Sequence, residues 1–276
     1  MYQFDYQTPD SIEAALAALR GNDEAKILAG GMTLLPTMKM RLARPDVLID
    51  INCIGSLAGI GKEDGEIVIG AMTRHADVAA SKPVRDNIPA LAHLAEAIGD
   101  PQVRNRGTLG GSVANNDPTA DYPAGLVGLG ATVVTDRREI AADDFFTDMF
   151  ETALEDDEII TAVRFPVPER AAYMKFPNPA SRYAIVGVMV AQAPDGIRVA
   201  VTGAGPCVFR VAAMEDALQQ DFTPDAIASI AVDGAGFNED IHASAAYRAH
   251  LVTVMARRAL AALGWPGTLR PVSVVT

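Results

Sequence analysis

The sequence predicts an α+β protein in two parts, residues 1–168 and 169–276. Three observations lead there. Residues 26–51 read as a short strand, a Gly-Gly turn and a helix, a compact unit near the start of the first part. Pro166-Val167-Pro168, followed by Glu169-Arg170, interrupts the pattern and marks a boundary. Beyond it strand patterns come first and helical patterns after, the order of an α+β domain rather than of alternating units.

In chain order, residues 9–20 carry Ala and Leu at helical spacing, with Asp10 or Ser11 as the cap. Lys26 to Leu28 form a short apolar run that Gly30 and Gly31 break. Thr33 then reads as an N-cap, and Leu34, Leu35, Met38 and Leu42 share one helix face before Pro45. Residues 66–71 and 131–135 read as strands, and Pro83 to Ile98 as one helix with Ile88, Leu91, Leu94, Ala95 and Ile98 on one side. Asp121-Tyr122-Pro123 opens a short Gly-rich helical segment. The acidic stretch 143–157 surrounds Phe145, Phe146, Met149 and Phe150, a solvated face over a buried aromatic edge. Residues 158–165 alternate as a strand. In the second part, strands at 172–176, 183–192 and 197–202 make a three-stranded sheet, and helices follow, the last from about His242 to Leu263.

Composition excludes several classes. Hydrophobic residues make up 49% of the 276, enough for a real core and too many for a disordered chain. A net charge of −12 sets long-range repulsion against a nucleic-acid partner. No apolar run reaches the roughly 18 residues of a membrane span. The N-terminal stretch lacks a basic region followed by a continuous apolar one, so a cytoplasmic location is expected. Two cysteines, Cys53 and Cys207, stand among apolar neighbours and are expected to be buried, inert thiols. Two are too few for an iron–sulfur cluster or a structural zinc site. The four histidines form no close ligand pair, although His242 and His250 can share a helix face, and no metal site is expected.

The chemistry concentrates in the two glycine segments. In Arg104-Asn105-Arg106-Gly107-Thr108-Leu109-Gly110-Gly111-Ser112, successive backbone N–H groups can form an anion-binding concavity, with Thr108 and Ser112 adding hydroxyls. In Ala29-Gly30-Gly31-Met32-Thr33, strand, turn and helix start aim N–H groups and a helix dipole at one point. A diphosphate suits such a place, and a ligand-free strand-to-helix turn is the competing reading of the first loop.

Together these segments resemble the FAD-binding medium subunit of the molybdenum hydroxylases, the aerobic carbon monoxide dehydrogenase and xanthine dehydrogenase type enzymes. Ala29 through Pro36, with Lys39 and Arg41 following, looks like that family's first flavin loop, and Arg104 through Ser112 like its second. Asp240 through Arg248 resembles its closing-helix signature, so the resemblance spans nearly the whole chain. Met32 departs from the polar residue common at that point. The resemblance implies a two-lobed FAD-binding domain of the vanillyl-alcohol-oxidase (PCMH-like) type over 1–168, with lobes of about 1–55 and 56–168, then the smaller α+β domain over 169–276.

It also assigns residues. Ala29, Gly30, Gly31, Met32, Thr33, Thr108, Leu109, Gly110, Gly111 and Ser112 would cradle the FAD. Asp121 falls at a flavin-binding position, where its carboxylate would accept from a ribityl or ribose hydroxyl; the alternative, compatible with it, is a cap of the following helix. Tyr183 matches an aromatic stacked over the isoalloxazine, or else is a strand tyrosine packed on the core. Lys175 matches a lysine near the flavin, or else is an exposed strand lysine, and Ile160 matches a main-chain contact at the adenine end, or else is plain core. Asp117, just before Pro118, reads as a turn residue.

By the same resemblance, a large molybdenum–pterin subunit oxidises substrate and a small subunit with [2Fe–2S] clusters relays electrons. The FAD of this chain passes them to NAD, oxygen or a quinone. Homodimerised heterotrimers are usual in the family. Two rivals belong to other classes: a stand-alone flavoprotein oxidase of the same fold, and a flavin-free scaffold subunit.

Overall fold

The computed structural model describes residues 1–264. An N-terminal lobe holds a parallel sheet of Asp5–Gln7, Val47–Asp50 and Ala25–Leu28, with Val47–Asp50 in the middle. Helix Ile12–Arg20 covers it. Ser11 supplies its cap by accepting from the Ala14 N–H, and Ala15 and Leu16 pack inward onto Ala25, Val47 and Ile49.

The second lobe is a five-stranded sheet in the order Ile60–Glu63, Glu66–Gly70, Ile160–Pro166, Thr132–Thr135, Glu139–Ala141, with the strand that comes last of these in the chain at its centre. Its apolar face packs on short helices that include Pro89–Glu96, Leu109–Asn115 and Tyr122–Leu129. Helix Tyr122–Leu129 is buried on every side, which its all-apolar sequence requires. The third body is an antiparallel sheet of Arg170–Pro177, Ala184–Ala193, Gly196–Thr202 and Phe209–Arg210, covered by helices Ala212–Gln220 and Ala245–Leu263. Arg248, within the closing-helix signature, is buried and donates to the carbonyls of Ile185 and Gly203 and to Asp240. That signature is therefore a clamp between helix and sheet.

Five expectations are corrected. The single helix 83–98 is two, Lys82–Asn87 and Pro89–Glu96, because Ile88 precedes a proline and takes φ −136°, ψ 66°. The helix after the first glycine turn stops at Lys39, short of Leu42, which is 75% exposed. It closes with Arg41 at φ 62°, the Leu42 N–H on the Thr37 carbonyl and the Arg41 N–H on that of Met38. This is a Schellman closure with arginine where glycine is usual. The C-terminal sheet gains a fourth strand, Phe209–Arg210, too short for periodicity to reveal. The last helix begins at Ala245, capped by Ser244, so His242 precedes it and shares no helix face with His250. Cys53 is exposed, since Ile51 and Ile54 on either side of it take the buried positions.

Candidate functional site

Between the lobes and the C-terminal sheet lies a cleft of about 870 Å³, within the range of pockets that hold large organic ligands. Residues 29–34 form one wall, 107–121 a second, and 150–160 a third, with Ser181, Arg182 and Tyr183 reaching over from the C-terminal sheet. Of the residues singled out in the sequence, Ala29, Gly30, Gly31, Met32, Thr33, Thr108, Gly110, Gly111, Ser112, Asp121, Ile160 and Tyr183 line it, whereas Leu109 and Lys175 do not.

The two glycine turns lie against each other. A Cβ placed on Gly30 would stand 2.2 Å from the Arg106 carbonyl oxygen, so the contact requires glycine there. Gly31 adopts φ 73°, the left-handed conformation that turns the chain into helix Leu34–Lys39. From Gly30 to Leu34, five successive N–H groups have no hydrogen-bond acceptor among the described residues. They are the free donors of this cleft.

The second turn works otherwise than its sequence suggests. Its N–H groups are already engaged: Leu109 donates to the Thr73 carbonyl, Gly110 to that of Ala71, and Gly111 to the Thr108 hydroxyl at 3.2 Å. Thr108 is thus the N-cap of helix Leu109–Asn115, with φ −116° and ψ 154°. Thr33, the residue expected to cap, has φ −103° and ψ −53° and makes no such bond. What the second turn offers the cleft is hydroxyl groups, from Thr108 and Ser112, not a row of amides.

Asp121 is buried and does not cap its helix. Its carboxylate accepts from the Tyr173 hydroxyl at 2.5 Å and from the Lys175 ammonium at 3.1 Å, and the closest approach of the ion pair is 2.9 Å. Burial raises its pKa above the ordinary carboxylate value, and the charge of Lys175 works against the rise. Lys175 is 7% exposed at its side chain and also donates to the carbonyls of Ala97 and Arg182. Its three donors are therefore spent within the protein, and it reaches the cleft through Asp121. The Arg182 carbonyl it holds belongs to a residue at φ 63°, directly before Tyr183. Tyr183 is 44% exposed; partial burial and the charges of Asp117 and Asp121 raise its phenol, and the side chain of Thr33 offsets part of that. Asp117 is a turn residue as well, its carboxylate accepting from Thr119.

Ile160 is 5% exposed and pairs in the central strand. The acids just before it are held in place: Glu158 binds Arg138 and Thr135, and the Arg138 guanidinium brings its carboxyl down to about 2. Two wall residues were not singled out for the site in the sequence, His75 and Phe150; Phe150, expected in a buried aromatic edge, is exposed, as is Met149, while Phe145 alone of that group is fully buried. His75 sits over Gly107 with burial pushing its imidazole down to about 4, and its Nδ1 has no partner. Among the described residues no group of three or more His, Cys, Asp or Glu could hold a metal ion.

The chain as a whole has well-covered relatives. Residues 2–168 match the family model described as the FAD binding domain in molybdopterin dehydrogenase. The carbon monoxide dehydrogenase medium chain of Hydrogenophaga pseudoflava is 37% identical over 94% of this chain and 96% of its own length. The nicotine 6-hydroxylase medium subunit of Paenarthrobacter nicotinovorans is 36% identical, over 94% of this chain and 96% of its own length. In the solved structure of reconstituted CO dehydrogenase from Oligotropha carboxidovorans, one chain superposes with a TM-score of 0.86 at 32% identity, covering 95% of this chain and 98% of that one. This chain belongs to the FAD-binding family of the molybdopterin dehydrogenases, as the medium, flavin-binding subunit of an oxidoreductase.

Proposed function

We propose that this subunit takes electrons from the [2Fe–2S] clusters of a small partner subunit, loaded at a molybdenum–pterin centre in a large one, and hands them through FAD to an external acceptor. The observation that carries the reading is the run of five unpartnered N–H groups, Gly30 to Leu34, in a turn that abuts the second glycine turn. Such a row suits the two negative charges of a dinucleotide's diphosphate, and the cleft volume suits its length. The relatives named above as medium chains and subunits support the multi-subunit setting. Two cysteines in the whole chain agree with clusters residing elsewhere.

In this reading the main chain of Ala29 to Thr33 holds the diphosphate, and the Thr108 and Ser112 hydroxyls donate beside it. Leu109, Gly110 and Gly111 fix that second wall at close approach. Asp121, oriented by Tyr173 and Lys175, accepts from a hydroxyl of the chain between diphosphate and ring. Ile160 meets the adenine end through its main chain, and Tyr183 stacks at the ring end. Bound FAD supplies the ability to collect electrons and release them to a second molecule. The protein's part is to hold it, exclude water from one side and set the charge around it. Residues 1–168 form the FAD-binding domain in this division and 169–276 the domain that brings Tyr183 and Lys175.

The test is to purify the subunit, record its visible spectrum and identify the flavin released by acid. One FAD per chain and oxidised-flavin bands are expected. A folded, colourless chain that also refuses added FAD, alone and with its partners, overturns the reading in favour of a scaffold.

A further inference from the structure

Phe150 is a wall residue of the cleft, 56% exposed, and its backbone sits at φ 57°. A bulky aromatic in the left-handed region is strained, and it persists only where the surroundings fix it. Here they do. Asn116 is itself left-handed, 1% exposed, and stands at the C-cap of helix Leu109–Asn115. Its Nδ2 donates to the carbonyls of Asp148 and Glu151, at 2.7 Å each, and its own carbonyl accepts from the Phe150 N–H at 3.1 Å. One buried side chain thus braces the turn on both sides of Phe150. The strain is not spent on burying the ring.

The placement is specific. Helix Leu109–Asn115 starts at the second glycine turn and runs seven residues, about 10 Å, before reaching Asn116. The next residue, Asp117, lines the cleft as Phe150 does. Phe150 and Tyr183 are two exposed aromatics that line the same cleft. We propose that Phe150 is a second aromatic contact for the ring system of the bound flavin, held out by Asn116 to meet it, and this rests on the FAD reading above.

The experiment titrates FAD into the apo form of the full subunit, in its native complex, and reads affinity by flavin fluorescence together with the visible circular dichroism of the bound flavin. Phe150→Ala is expected to weaken FAD binding about three- to tenfold and to change the dichroism. Phe150→Tyr should restore both. Phe150→Gly, which relieves the left-handed strain, should lose affinity like alanine while its Tm stays level or rises. Alanine and glycine variants that bind FAD with native affinity and dichroism overturn the contact while leaving the FAD reading intact. A wild-type complex that takes up no FAD overturns both.

Discussion

The Gly30 Cα and the Arg106 carbonyl meet so closely that the smallest side chain at residue 30 would fall 2.2 Å from that oxygen. The two glycine turns are thus a single layer, in which the first supplies free amides and the second closes against it. Neither can shift without the other.

Gly30→Ala should therefore part the loops. Overpacking of this kind costs about 1–3 kcal/mol, and here the opposing atom is backbone that cannot rotate away. Gly31→Ala meets the Leu35 side chain instead and adds roughly 1–2 kcal/mol of left-handed strain. Flavin stoichiometry and thermal unfolding of both variants check this. Full FAD content and a native Tm in Gly30→Ala would show that the layer is not needed.

Lys175→Met removes the partner of a buried carboxylate, and stranding such a charge costs roughly 3–5 kcal/mol. It also frees the carbonyls of Ala97 and Arg182. Adding Asp121→Asn should recover part of the loss, because the stranded charge disappears while the amide oxygen can still accept from Tyr173. A double variant no more stable than Lys175→Met alone would mean that the lysine acts mainly through those carbonyls. Chemical unfolding of the four members of the cycle decides it.

Much of this was legible in the sequence because it was local. Two glycine turns and three long C-terminal strands followed from neighbouring residues. Local pattern also misled: Thr33 and Thr108 each stand beside a glycine pair, and only the extended backbone of Thr108 lets its hydroxyl cap. The rest depends on pairings across the chain. Lys175 reaches Ala97, 78 residues back, and Asn116 reaches Glu151, 35 ahead. Neither has a periodicity to betray it, and Phe150 looked like part of a buried aromatic edge for the same reason.

His75 makes the fold acid-sensitive. Its folded value of about 4 lies below the ordinary 6.5 through burial, with the Arg104 charge adding to the shift. Below pH 6.5 the unfolded chain binds a proton that the folded chain refuses, so stability falls as pH drops toward 4 and this contribution then flattens. The total is about 3 kcal/mol. Urea unfolding at pH 7 and 4.5 should show the loss in the wild type and a much shallower one in His75→Gln. Equal slopes would assign the sensitivity elsewhere.

Arg248 holds the last helix to the sheet through two carbonyls and Asp240. Arg248→Met should cost roughly 1.5–3 kcal/mol, since buried acceptors lose a charged donor. Asp240→Asn should cost less, its carboxylate being 45% exposed. Thermal unfolding orders the two, and the reverse order would make the ion pair, rather than the carbonyl contacts, the working part of the clamp.

The Thr108 hydroxyl has two duties that one substitution can separate. Its oxygen accepts from the Gly111 N–H and caps helix Leu109–Asn115, and its hydrogen has no acceptor among the described residues. Thr108→Val keeps the shape and leaves the Gly111 amide unpaired, which should cost about 1 kcal/mol as a lost cap. Thr108→Ser keeps the cap and the donor. If the free hydrogen serves the bound FAD, valine should weaken FAD binding beyond what its loss of stability explains, and serine should not. Ser112→Ala, at a side chain that caps nothing among the described residues, gives the comparison: it should lower FAD affinity with no change in Tm. A valine variant that loses stability yet binds FAD as tightly as the wild type would confine Thr108 to capping and leave Ser112 as the donor of that wall.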